Sequence, residues 1–115
     1  PIDVYNHGNM QRDFTYVDDI VAGVKASILT TGLDQYEVFN LGNSNTVALT
    51  YFIECIEKEL GMTAEKNMLP MQPGDVEKTY ADISRSAEKL GFHPVTPVED
   101  GIHRFIEWYK SYYRV

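Results

Sequence analysis

Two apolar repeats at helical spacing, each closed by a glycine and separated by short alternating stretches, constrain this chain more than any other feature. Val17, Val21, Val24 and Ile28 recur at the period of an amphipathic helix, and Gly32 follows as a stop. Thr15 is placed to cap that helix, with Asp18 three residues on as its reciprocal partner. Phe52, Ile53, Ile56 and Leu60 form a second stripe, with Thr50 as the expected cap and Gly61 as the stop. A short helix is expected from Asp82 to Leu90, ended by Gly91. The last helix starts with Thr96 as cap, Pro97 at the first helical position and Glu99 completing the box. It is expected to turn Ile102, Phe105, Ile106, Tyr109 and Tyr113 inward.

Between these helices lie strand signals. Ile2-Asp3-Val4-Tyr5 alternates, and Asn6-His7-Gly8-Asn9 supplies turn chemistry for a hairpin into residues 12–15. Residues 36–41 (YEVFNL) are apolar on both faces and read as a buried strand, and a further strand is expected around 65–69. Strands alternating with about four helices define an α/β fold with a small sheet. At 115 residues the chain reads as a single domain, 1–115, with no internal boundary.

Charge and composition exclude several classes. Ten basic against seventeen acidic residues give a net charge of −7, which argues against nucleic acid and anionic membrane as partners. No stretch approaches the roughly 18 consecutive apolar residues that span a bilayer. Cys55 is the single cysteine and cannot form an internal disulfide, so a reducing, cytoplasmic setting is the expectation. His7, His93 and His103 stand in unrelated contexts without ligand spacing, so no metal site is read. Pro1 is a poor natural start, as expected of a piece of a longer chain.

Two polar segments interrupt the apolar pattern: 12–20 (RDFTYVDDI) and 68–82 (MLPMQPGDVEKTYAD). Arg12 stands at a strand end just before a helix, and its guanidinium is a planar fork of donors suited to phosphate oxygens. Alone, such an arginine more often solvates a surface. Asp75 follows Pro73-Gly74, a turn that leaves its carboxylate outside any helix, where it could equally satisfy a nearby backbone amide. Asp18 and Asp19 on a first helical turn suit the helix dipole better than acid/base work. Cys55 and the aromatic run at 108–113 fit packed helix faces.

Both segments, in order and with plausible spacing from VYNHG through GIHRFIEWYKSYY, resemble the C-terminal, substrate-binding portion of the extended short-chain dehydrogenases/reductases. These are the NAD-dependent nucleotide-sugar epimerases and dehydratases. The resemblance implies that Arg12 binds the substrate diphosphate and that Asp75 accepts from the ribose hydroxyls. It places Gln72 at the diphosphate and an apolar Val47 near the nucleoside, where ordinary packing would serve as well. In the UDP-glucose 4-epimerases an arginine stands three residues before this aspartate; here Gln72 can donate a hydrogen bond but carries no charge. An aromatic residue of that subgroup is replaced by Thr79. With the wording MLPMQPGDV, these departures are most similar to the UDP-glucuronate 4-epimerases.

The resemblance further implies an enzyme of carbohydrate metabolism and polysaccharide biosynthesis that works as a homodimer. In the family, a catalytic Tyr-x-x-x-Lys and NAD lie in an N-terminal Rossmann domain and oxidise C4 of the sugar to a 4-keto intermediate, which is then reduced on its other face. This chain contains neither that pair nor a glycine-rich dinucleotide turn. No catalytic and no cofactor-binding residue is therefore expected in it, and alone it is expected to be inactive and prone to self-association. Fragments of a UDP-glucose 4-epimerase or a dTDP-glucose 4,6-dehydratase are rival readings, as is a non-catalytic interaction or oligomerisation module.

Overall fold

The computed structural model describes all residues from Pro1 to Val115. In chain order it contains β1 (Ile2–Val4), β2 (Gln11–Arg12), α1 (Val17–Leu29), β3 (Val47–Ala48), α2 (Leu49–Leu60), β4 (Lys66–Met68), α3 (Ser84–Leu90) and α4 (Val98–Tyr113). Four helices and small β pairings give the expected α/β composition, but the strands form two separate pairs. β1 runs parallel to β4, with Val4 opposite Met68, while β2 runs antiparallel to β3, with Arg12 opposite Val47. No helix is long and apolar enough to cross a membrane.

The expected hairpin between residues 2–5 and 12–15 does not form. Asn6 and His7 take left-handed conformations (φ 49° and 50°), which Asn tolerates well, and the turn they build sends β2 away from β1. Residues 36–41 are not a strand either. A strand needs a ladder, and this stretch is held instead by side chains: Asn40 Nδ2 donates to the Asp82 carbonyl, and the buried Ser86 hydroxyl donates to the Asn40 carbonyl.

Helix starts differ by one or two residues from the capping rules. Tyr16, Ala48, Ile83 and Pro97 occupy the cap positions, and none caps through a side chain. Asp82 still orders the entry to α3, accepting from the Ser84 amide at 3.0 Å and the Ser84 hydroxyl at 2.6 Å. The C-terminal stops Gly61 and Gly91 sit left-handed as anticipated (φ 65° and 64°), whereas α1 ends at Leu29, short of Gly32.

The molecule is a plate of 51 × 37 × 19 Å, so thin that its core is mostly one helix pair deep. Val98, Ile102 and Ile106 of α4 are buried against Phe52, Cys55 and Ile56 of α2. Phe14 stacks on Phe52 with ring centroids 3.9 Å apart, and Val47 joins the same cluster. Of the residues expected inward on α4, Phe105, Tyr109 and Tyr113 are instead exposed and form an aromatic ladder with Trp108 and Tyr112. Tyr109 and Tyr113 follow Ile106, the last α4 residue of that core, and Phe105 stands beside the core at the mouth of a cavity that leaves it uncovered.

α1 buries the face opposite to its apolar stripe. Asp19 and Gly23 point inward, and a Cβ on Gly23 would stand 2.6 Å from Leu41 Cδ2 and 3.0 Å from Phe92 Cδ2. Val17, Val21, Val24 and Ile28 are 61%, 56%, 46% and 75% exposed. A contiguous aliphatic face in water favours association, each buried methylene contributing about 0.8 kcal/mol. The purified chain is expected to elute larger than a monomer or to enhance the fluorescence of a hydrophobic dye. A dye-silent monomer at high concentration in light scattering would show that this face is covered in solution.

A charged knot closes the far edge. The Glu37 side chain, 2% exposed, takes the Asp34 amide at 2.8 Å and both Lys89 Nζ and Arg85 at 2.7 Å. Lys89 above all, then the Asp34 amide, lower the Glu37 pKa to about 2. A carboxylate depressed in the folded state adds stability above its ordinary pKa and loses it as pH falls toward the folded value. Glu37→Gln should therefore be less stable than wild type at pH 7, with the gap closing between pH 4.5 and about 2 in denaturant titrations followed by circular dichroism.

Candidate functional site

Short as it is, β2 is bonded along both edges. On one side it pairs with β3; on the other, Gln11 donates to the Glu77 carbonyl at 2.8 Å and accepts from the Thr79 amide at 3.1 Å. The returning loop 75–81 thus runs as a third, irregular strand beside the arginine. Phe14 and Val47, which flank the site, are rooted in the α2–α4 core.

On this frame the structure brings Arg12, Asp75 and Val47 together. Arg12 Nη2 donates to Asp75 Oδ1 at 2.9 Å, and Nη1 donates to the Gln11 carbonyl at 2.9 Å and the Glu77 carbonyl at 3.3 Å. Asp75 Oδ1 also takes its neighbour's amide, Val76, at 2.8 Å. The arginine is thereby fixed by three acceptors while part of its donor fork remains unassigned, and Asp75 Oδ2 carries no internal bond. Both side chains stay partly open, 22% and 32% exposed. Gln72 lies at the other end of the turn, its carbonyl accepting the Asp75 amide at 3.2 Å, with its side chain exposed and without a hydrogen bond.

Thr79 serves the frame of the site, its hydroxyl accepting the Asp13 amide at 3.2 Å. Asp13 itself escaped the sequence reading, as did the packing of glycine behind the site. Its carboxylate accepts from Asn43 N (2.9 Å), Ser44 N (3.0 Å) and Ala81 N (3.0 Å). The available signal was a carboxylate between Arg12 and the core aromatic Phe14. Above it, Ser44 Oγ donates to Tyr80 Oη at 3.0 Å, joining the two loops a second time. Asp19, for which a helix-dipole role was expected, is buried and its Oδ2 accepts the Thr96 amide at 3.0 Å, tying α1 to the entrance of α4.

Elsewhere the chemistry is unsuited to a charged ligand. An apolar cavity of about 410 Å³ opens between residues 14–17, Phe52, Ile56 and the start of α4, without a single charged side chain in its lining. Tyr51 donates to Glu99, which raises its pKa to about 12; a tyrosine base would need the opposite shift. His103 is held between Glu59 (2.9 Å) and Glu107 (3.7 Å) and its pKa is raised, first by the bond to Glu59. It acts as a helix-to-helix clasp on the outside of the α2–α4 pair.

No protein-family profile matches the chain. An uncharacterised protein of Methanocaldococcus jannaschii is 53% identical over 108 residues, 94% of this chain and 32% of that protein. The probable UDP-glucuronate 4-epimerase of Rhizobium meliloti is 39% identical over 131 aligned positions, 99% of this chain and 38% of that protein. The crystal structure of Bacillus cereus UDP-glucuronic acid 4-epimerase with UDP-glucuronic acid and NAD superposes with a TM-score of 0.89 at 33% identity, covering 98% of this chain and 36% of that one. The chain spans about a third of the length of the relatives it matches. Over this span the fold and sequence are similar to those of nucleotide-sugar 4-epimerases, and the chain fits the C-terminal portion of an extended short-chain dehydrogenase/reductase.

Behind the site, Gly42 is buried against Ala81, and a Cβ there would overlap the Ala81 Cβ and stand 3.3 Å from Asp13 Oδ2. Gly42→Ala should therefore force the two loops apart and lower stability by about 1–3 kcal/mol, the range for overpacking, measured by chemical denaturation.

Proposed function

We propose that this chain is the nucleotide-sugar-binding part of an NAD-dependent UDP-sugar 4-epimerase, with UDP-glucuronate as substrate. The single observation that carries the reading is the Arg12–Asp75 pair at 2.9 Å with Val47 opposite Arg12 on β3: a cation, an acceptor and an apolar seat within one pair of strands and one loop. A diphosphate would bond to the donors of Arg12 that the carbonyls leave unassigned, a charge-assisted fork of the kind arginine makes best. Ribose hydroxyls would donate to Asp75, whose Oδ2 is unused. Gln72, exposed on the same turn, offers a neutral donor to a phosphate or sugar oxygen. The UDP-glucuronate preference rests on the relatives and on Gln72 standing where the UDP-glucose enzymes place a cation.

NAD would be held outside this chain, in whose sequence none of the eight glycines forms a G-x-G-x-x-G dinucleotide turn. Oxidation and re-reduction at C4 would use residues outside this chain; what these residues do is bind and orient. A homodimeric, cytoplasmic enzyme is part of the same proposal. The bare aliphatic face of α1 would pack against the rest of the protein in that setting, which is also the observation that favours an interaction module as the second reading.

Arg12→Ala should weaken UDP affinity by about 1.5–3 kcal/mol, the scale of a charge-assisted bond, and Arg12→Lys should restore only part of it. Asp75→Asn should cost less, because an amide oxygen still accepts from a hydroxyl. Isothermal titration calorimetry with UDP and with UDP-glucuronate reads this ordering. Equal UDP binding by wild type and Arg12→Ala would remove Arg12 from the site, and no heat with either nucleotide would favour the interaction module.

A further inference from the structure

We propose that Asp13 is the positioning residue of this site: its carboxylate clips the two ligand-bearing segments onto the strand that carries Arg12. This rests on the functional reading above for what the segments bind, but the clip itself is a matter of geometry. One carboxylate accepts three backbone amides from two segments 30 and 68 residues away: Asn43 and Ser44 on one, Ala81 on the other. The Asp13 amide donates to Thr79 on the second segment as well. Neither segment is a helix or a paired strand at these points, so the amides have no ladder partner to replace the carboxylate. The three N–H groups come from two sides of a single side chain, Asn43 on Oδ1 and Ser44 and Ala81 on Oδ2, so acceptors are needed on both oxygens.

Downstream of the first pair of amides the chain enters β3 and places Val47 opposite Arg12; upstream of Ala81 the other segment places Asp75 against its guanidinium. Asp13 touches neither proposed ligand contact. It sets the distance between them, through segments that otherwise lack regular structure.

The test is amide exchange and ligand titration by NMR on the ¹⁵N,¹³C-labelled 115-residue chain and its Asp13→Asn variant. Asparagine keeps the shape but turns one acceptor into a donor that faces a backbone N–H. The amides of Asn43, Ser44 and Ala81 should exchange about tenfold faster or more in the variant, as expected when part-buried donors lose their acceptor. Amides of Ile56 and Ile106 in the α2–α4 core should keep their protection. UDP affinity should fall about tenfold although Arg12 and Asp75 are intact. Unchanged exchange at the three amides, equal loss at Ile56 and Ile106, or loosened amides with unchanged UDP affinity would each overturn the proposal. If wild type binds no UDP, the functional reading fails while loosening confined to the amides of Asn43, Ser44 and Ala81 still supports the clip, and its absence overturns it. Should Asp13→Asn not fold, wild type decides: couplings across the hydrogen bonds from the Asn43, Ser44 and Ala81 nitrogens to the Asp13 carboxyl carbon support the clip, and their absence defeats it.

Discussion

A strand of two residues cannot hold itself in place, and the proposed site depends on β2 being held on both edges. Its residues alternate their bonding: Gln11 serves the loop 77–79 and Arg12 faces β3. The strand is anchored below by Phe14, stacked on Phe52 in the core, and above by the acceptors around Arg12. Loosening either edge would leave an arginine on a mobile stalk. With both edges made, a residue on a nearly irregular backbone acquires a fixed direction.

That arrangement bears on the charge balance. An excess of seven negative charges disfavours a nucleotide diphosphate at long range, yet screening confines such fields to about 8–10 Å at physiological salt. Several carboxylates are also locally engaged, Glu37 by Lys89 and Arg85, Glu57 by Lys66, Asp13 by three amides and Asp19 by the Thr96 amide, although the cations among these partners are already counted in the net charge. At the proposed site, anion binding would consequently depend on short-range donors, and Arg12 is the cation whose fork reaches the loop of Asp75 and Glu77.

Helices were legible in the sequence because their signals are local. The apolar stripes of α2 and α4 and the stops at Gly61 and Gly91 require no knowledge of partners. Strand pairing was not, because it is decided by what lies across the ladder: β1 chose β4, more than 60 residues away, over its neighbour β2. Residues 36–41 show the converse, apolar enough for a buried strand yet with no strand in this chain to pair with. Of the candidate site, Arg12, Val47, Gln72 and Asp75 could be picked out through chemistry and resemblance, while Asp13 could not. Its role consists of backbone amides from elsewhere in the chain, and amides leave no trace in side-chain identity.

The two faces of α1 state the remaining problem most clearly. A helix in a self-sufficient domain buries its apolar stripe; this one buries Asp19 and Gly23 and offers water Val17, Val21, Val24 and Ile28. Asp19 is not misplaced, since its carboxylate holds the Thr96 amide and with it the entrance of α4, and Gly23 is small because Leu41 and Phe92 press on it. Each inward residue is thus accounted for by contacts within the chain, and the outward stripe by none. Selection for two packed faces on one helix is what a layer between two others requires. The inner layer is α3 with the segments around Leu41 and Phe92; the outer face of α1 is a contiguous aliphatic stripe with no partner in this chain.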